Sequence, residues 1–140
     1  MKKRLITLVM TLALLLSALP ITATAASTPQ IQPRWTNTLA LYMNITFSNS
    51  TGYVTVSLDG HNGVSNITAE IKLYYKNSRD NWIYTHNSWT YDVDQMYLTI
   101  SEPFNTVSGR EYMATINATV YKDGYGEVIT DYVTATCPSN

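Results

Sequence analysis

The 140-residue chain contains one cysteine, Cys137, and two histidines, His61 and His86. A single thiol excludes an internal disulfide framework, so a folded domain must be held by its own core. Neither histidine has a second histidine at metal-ligand spacing, and neither H-E-x-x-H nor G-x-S-x-G occurs. That leaves no motif for a zinc hydrolase or a serine nucleophile, and no cofactor is expected. Positive charge is also scarce. Beyond residue 26 only Arg34, Lys72, Lys76, Arg79, Arg110 and Lys122 face ten acidic residues, a net charge of −4. An acidic surface argues against nucleic acid and against anionic membrane as partners.

Long apolar runs are missing as well. The longest, residues 5–19, falls short of the ~20 residues of a membrane span. It follows Lys2, Lys3 and Arg4 and precedes Ala23-Thr24-Ala25-Ala26. A basic start, a short apolar middle and small residues at the end form a secretory signal peptide over residues 1–26. No cysteine stands directly after the cleavage region, so a lipid anchor is not expected. The product is therefore expected to be secreted, without a membrane segment in its mature form. About 115 residues remain, enough for one domain that buries roughly two-thirds of its unfolded surface. A monomer is expected.

What the mature part does contain is β-forming residues, including all eleven tyrosines and all three tryptophans. Residues 27–37, with Pro29 and Pro33, read as an extended leader, and residues 38–140 as the folded domain. Leu39, Leu41, Met43, Ile45 and Phe47 alternate with polar neighbours, the period of a half-buried strand. After the turn Ser48-Asn49-Ser50-Thr51, Val54, Val56 and Leu58 resume the pattern. Closing that hairpin sets Ile45 opposite Val54, Met43 opposite Val56 and Leu41 opposite Leu58, with every apolar pair on one face. A third strand spans residues 67–75 and an edge-like fourth, with two-sided alternation, residues 82–91. Met96, Leu98 and Ile100 mark a short fifth, followed by a long connection over residues 102–109. Tyr112, Ala114, Ile116, Ala118 and Val120 give a sixth strand. Asp123-Gly124-Tyr125-Gly126 turns it into a seventh, residues 127–137, in a register that pairs Lys122 with Glu127, Val120 with Ile129, Ile116 with Val133 and Ala114 with Ala135. That register points Asp131 inward, as an edge-strand charge or at a bulge.

Seven antiparallel strands predict an all-β sandwich. At the entry to the sixth strand, Pro103-Phe104 followed by Val107, Gly109 and Tyr112 resembles the tyrosine corner of immunoglobulin-like and fibronectin type III-like sandwiches. The resemblance implies that Tyr112 is buried with its hydroxyl bonded to backbone upstream. The second-strand tryptophan common in fibronectin type III domains is absent. The overall form, with a signal peptide, a leader containing Ile31-Gln32-Pro33-Arg34-Trp35 and one sandwich, also resembles small secreted proteins of Gram-positive bacteria. That likeness implies export and no particular activity.

In such a sandwich the second-to-third, fourth-to-fifth and sixth-to-seventh loops share one end. The candidate binding residues are therefore Asp59, His61, Asp92, Asp94, Asp123 and Tyr125, with Asn62 beside them. Their carboxylates suit a basic partner or Ca²⁺, although Asp, Asn and Gly also populate turns for conformational reasons. A second candidate surface is aromatic. Tyr42, Tyr53 and Tyr97 should face solvent on one sheet and Tyr74 and Tyr121 on the other, while Trp35 should cover the end of the core. Cys137 reads as a small apolar residue ending the last strand. The expectation is a non-catalytic binding domain whose partner is a protein or a glycan. The alternatives are an antimicrobial or competition factor, and a carbohydrate-binding module that uses exposed tyrosines.

Overall fold

Where apolar and polar residues alternate, the chain forms strands: β1 (Thr38–Ser48), β2 (Thr51–Gly60), β3 (Val64–Lys76), β4 (Trp82–Val93), β5 (Tyr97–Asn105), β6 (Glu111–Lys122) and β7 (Tyr125–Thr136). They are seen in a computed structural model that describes residues 35–139; the signal segment and residues 27–34 of the leader lie outside the described residues. The strands form a three-stranded sheet, β1-β2-β5, and a four-stranded sheet, β4-β3-β6-β7. Every pairing is antiparallel. The result is the seven-stranded sandwich that the alternation predicts.

Between the sheets, Val54, Val56 and Leu58 meet Ile67, Ile71, Leu73, Ile116, Val120 and Ile129, all but removed from water. Each fully buried aliphatic side chain contributes about 1.5–3 kcal/mol through the area withdrawn from solvent. Trp35 packs against the edge of this core, as expected. Cys137 is buried and unpaired just beyond the end of β7.

The β1–β2 register follows the sequence: Ile45 faces Val54, Met43 faces Val56 and Leu41 faces Leu58. Asn49, with φ of 54°, closes the turn in a conformation that asparagine tolerates. The β6–β7 register differs from the expected one by two residues. Lys122 pairs with Tyr125, Val120 with Glu127, Ala118 with Ile129 and Ala114 with Val133. The reason is a tight two-residue turn: Asp123 and Gly124 both have positive φ, 51° and 81°, as a type I′ hairpin requires. A shift of two preserves the faces. Asp131 keeps its inward parity yet remains exposed on β7, the edge strand of its sheet. An inward-pointing charge at an edge opposes pairing with a second chain.

β5 is longer than the expected fifth strand and runs through Glu102, Pro103 and Phe104 to Asn105. Pro103 is compatible because β5 pairs only with β2, and an edge strand can leave one side without donors. The true connection is residues 106–110. β4 is an edge strand, as read, and its blurred alternation has a cause. Lys72 pairs with Ser88 and Tyr74 with Tyr84, so Thr85, His86 and Asn87 bulge opposite Leu73 alone. His86 has φ of 67° there, and Thr85 Oγ1 donates to the Leu73 carbonyl oxygen at 2.9 Å.

Both open seams of the sandwich carry a polar clasp. At the β1–β7 seam, one Glu127 carboxylate accepts hydrogen bonds from the backbone N–H groups of Thr36, of Asn37 at 3.0 Å and of Thr38 at 2.9 Å. Asn37 adds its own side-chain N–H to the carbonyl oxygens of Val120, at 2.9 Å, and Tyr125, at 3.1 Å. At the β4–β5 seam, the Tyr91 hydroxyl donates to Glu102 Oε1. Burial is the foremost reason that the Tyr91 phenol resists ionisation, and the Glu102 carboxylate adds to it.

Candidate functional site

The sandwich brings all six expected loop-pole residues to one end, because the β2–β3, β4–β5 and β6–β7 connections all turn there. Backbone bonds lock these connections together. Gly60 N–H donates to the Met96 carbonyl oxygen at 2.7 Å, and His61 N–H to that of Asn37 at 2.7 Å. Asp59 pairs with Tyr97 across β2 and β5, and Val64 with Lys122 across β3 and β6.

Within that end the side chains fall into separate groups. Asp92 and Asp94 share a partner: Asn66 Nδ2 donates to an oxygen of each, at 2.7 and 3.0 Å. That amide bridges two carboxylates that would otherwise repel across the strand end. Asp123 stands in the type I′ turn, and Tyr125 beside it is 80% exposed. Asp59 lies in β2, on the outer face of the three-stranded sheet with Tyr97. Among the described residues no three His, Cys, Asp or Glu side chains converge to hold a metal ion. Those carboxylates thus share an end of the molecule without three of them meeting at a common point. Among the described residues, none of Asp59, Asp92, Asp94 and Asp123 is in an ion pair.

Two contributors to this end were not legible as such. Glu127 and Asn37 anchor the start of β1 beside the loops, yet they stand about ninety residues apart in sequence. The Glu127 carboxyl is set by opposing influences: partial burial raises its pKa, and the hydrogen bonds from Thr36, Thr38 and Asn37 outweigh burial and leave it below the ordinary 4.5. It is thus held as an anion.

The aromatic candidates divide as expected. Tyr42 and Tyr97 are 57% and 56% exposed on the outer face of the three-stranded sheet, and Tyr53 is exposed on the same face. A hydroxyl ladder, Ser57 to Thr99 and Thr55 to Ser101, each at 3.4 Å, runs from the level of Tyr42 toward Tyr53, while Asp59 stands beside Tyr97. On the other sheet Tyr121 is exposed, whereas Tyr74 is half-buried against Tyr84, with ring centres 5.6 Å apart.

No family model matches the chain, and no curated protein matches it. Among solved structures it is similar to a crystal structure of the β-glucuronidase of Parabacteroides merdae, at 10% identity and a TM-score of 0.46, over 69% of this chain and 13% of that one. A structure of the same enzyme with glycerol in its active site gives 10% identity and a TM-score of 0.44, over 68% of this chain. The chain spans 13% of the length of that enzyme.

Proposed function

We propose that the chain is a secreted, non-catalytic binding domain that engages a cationic partner through its acidic loop pole. The observation that carries this reading is the gathering of Asp59, Asp92, Asp94 and Asp123 at one end, without an ion pair among the described residues, beside the exposed rings of Tyr97 and Tyr125. Like charges left unneutralised at the ends of a rigid sandwich repel each other, and a partner that brings positive charge removes that repulsion. Tyrosine beside such charge supplies contact area at low entropic cost. The absence of a catalytic role rests on the sequence, which has neither an activated-nucleophile motif nor metal-ligand spacing. Secretion rests on residues 1–26. The immunoglobulin-like or fibronectin type III-like kinship is supported by the Tyr112 corner and by the division of strands between the sheets.

The test is capture. The mature protein is immobilised and exposed to cell-wall fragments, glycans and extracts, beside a variant carrying Asp59→Asn, Asp92→Asn, Asp94→Asn and Asp123→Asn. A partner retained by the first, released by salt and lost by the second supports the reading; retention equal on both overturns it. N-terminal sequencing of the secreted form should begin within two residues of Ala26, and an intact Met1 form in the medium would refute export by cleavage.

A second reading has its own observation, the Ser/Thr ladder that runs from the level of Tyr42 toward Tyr53 on the face where Tyr97 is also exposed. Such a face suits stacking of a glycan. Binding that falls with Tyr42→Ala and Tyr97→Ala but ignores the four Asp→Asn changes would place recognition there.

A further inference from the structure

Below the Tyr91–Glu102 clasp the β4–β5 seam opens. The Thr85–Asn87 bulge bends β4 at that point, and a furrow of about 300 Å³ is left, lined among others by Leu73, Tyr75, Asn87, Asn105 and Arg110. Through Tyr75, Val107 and Arg110 it continues into a broader groove of about 630 Å³ at the end opposite the loop pole. A furrow of this size admits a small molecule.

Arg110 is the feature that gives the furrow a chemistry. Its guanidinium carbon lies 4.5 Å from the centre of the Tyr75 ring. A cation–π contact of this kind does not itself use up the guanidinium N–H groups as hydrogen-bond donors. The backbone is pinned on both sides: Arg110 N–H donates to the Val107 carbonyl oxygen at 3.2 Å, and the Arg110 carbonyl oxygen accepts from Cys137 N–H at 2.9 Å. Among the described residues no carboxylate pairs with the guanidinium and no acceptor takes its side-chain N–H groups. The nearby acids are committed elsewhere, since Glu111 and Asp80 hold Lys76 at 3.2 and 3.6 Å. The side-chain amides of Asn87 and Asn105 likewise have no partner among the described residues. A preorganised, half-buried arginine fork and two vacant amides thus line one cleft.

We propose that this furrow binds a small ligand bearing a carboxylate, with the carboxylate in two-point contact with Arg110 and the polar remainder of the ligand between Asn87 and Asn105. A planar pair of oxygens matches the fork, and the charge-assisted bonds strengthen where water is partly excluded. The site is separate from the loop pole and does not depend on it.

The probes are galacturonate and N-acetylalanine, with galacturonamide, N-acetylalaninamide and inorganic phosphate as controls at equal ionic strength. Protein expressed from the full chain is titrated while the side-chain amide signals of Asn87 and Asn105 are followed by NMR. Both carboxylates should give saturable shifts and their uncharged amides none. Arg110→Gln should weaken binding roughly tenfold or more, the loss of a charge-assisted hydrogen bond. Asn105→Asp, a change at an exposed position in the same lining, should do the same by bringing negative charge into the furrow, and it decides the matter should Arg110→Gln fail to fold. Asp92→Asn with Asp94→Asn should leave these shifts unchanged, whatever becomes of the loop pole. Absence of shifts, equal shifts with the uncharged amides, or tighter saturation by phosphate would overturn the proposal.

Discussion

The Tyr112 hydroxyl oxygen accepts a hydrogen bond from the Val107 backbone N–H at 2.8 Å, five residues upstream, while its ring is buried against Phe104 with centres 5.1 Å apart. One side chain thereby joins the connection after β5 to the core, and that connection also carries Arg110. The expected corner is present, with the hydroxyl as acceptor. Tyr112→Phe keeps the ring and strands the Val107 N–H, so it should cost about 1 kcal/mol in denaturant unfolding. A stability equal to wild type would show that water replaces the hydroxyl without loss.

Gly52 has no room for a side chain. A Cβ at that position would lie 2.3 Å from Phe104 Cζ, and Phe104 is wedged between Phe47 and Tyr112. Gly52→Ala should cost about 1–3 kcal/mol by overpacking. Adding Phe104→Leu should recover part of that loss in melting experiments, because the two effects share one space.

The Glu127 clasp should appear in the acid limb of stability. Its carboxyl pKa is lowered in the folded state, so the folded protein binds this proton less readily than the unfolded chain does. The contribution is fully present above the ordinary 4.5 and disappears as pH falls through the folded value. Glu127→Gln should lower stability at neutral pH and flatten the dependence on pH below 4.5 relative to wild type. Unfolding curves between pH 7 and pH 2 on both proteins provide the measurement; parallel curves would remove the clasp.

The β6–β7 turn depends on Gly124, whose φ is 81°. Gly124→Ala forces a β-carbon into the left-handed region and should cost about 1 kcal/mol, while Asn should be tolerated better. Cross-strand amide contacts in solution should join Ala118 with Ile129, and contacts joining Val120 with Ile129 would restore the register expected from the sequence.

Much of this fold can be read along the chain because it is written in a period of two. Alternation located seven strands, and the β1–β2 register followed from a short turn and matched apolar pairs. The β6–β7 register is not legible in the alternation, because a shift of two keeps every side chain on its face; only the backbone of Asp123 and Gly124 decides between the alternatives. Likewise Glu102 and Pro103 break the apolar pattern, yet pairing with β2 carries β5 through them.

The strand content, the inward faces, the corner at Tyr112 and the end of the molecule that Asp59, His61, Asp92, Asp94, Asp123 and Tyr125 share can all be derived from the chain alone. These depend on local period and on chain connectivity. Packing of the two sheets is what shows that, among the described residues, those carboxylates surround no common point, that Glu127 holds the backbone of Thr36, Asn37 and Thr38, and that Arg110 lies over Tyr75 without an acid partner. Each of these joins residues that no periodicity relates. They meet because two twisted sheets bring their edges together, and the distances at those seams are set by packing of the whole core.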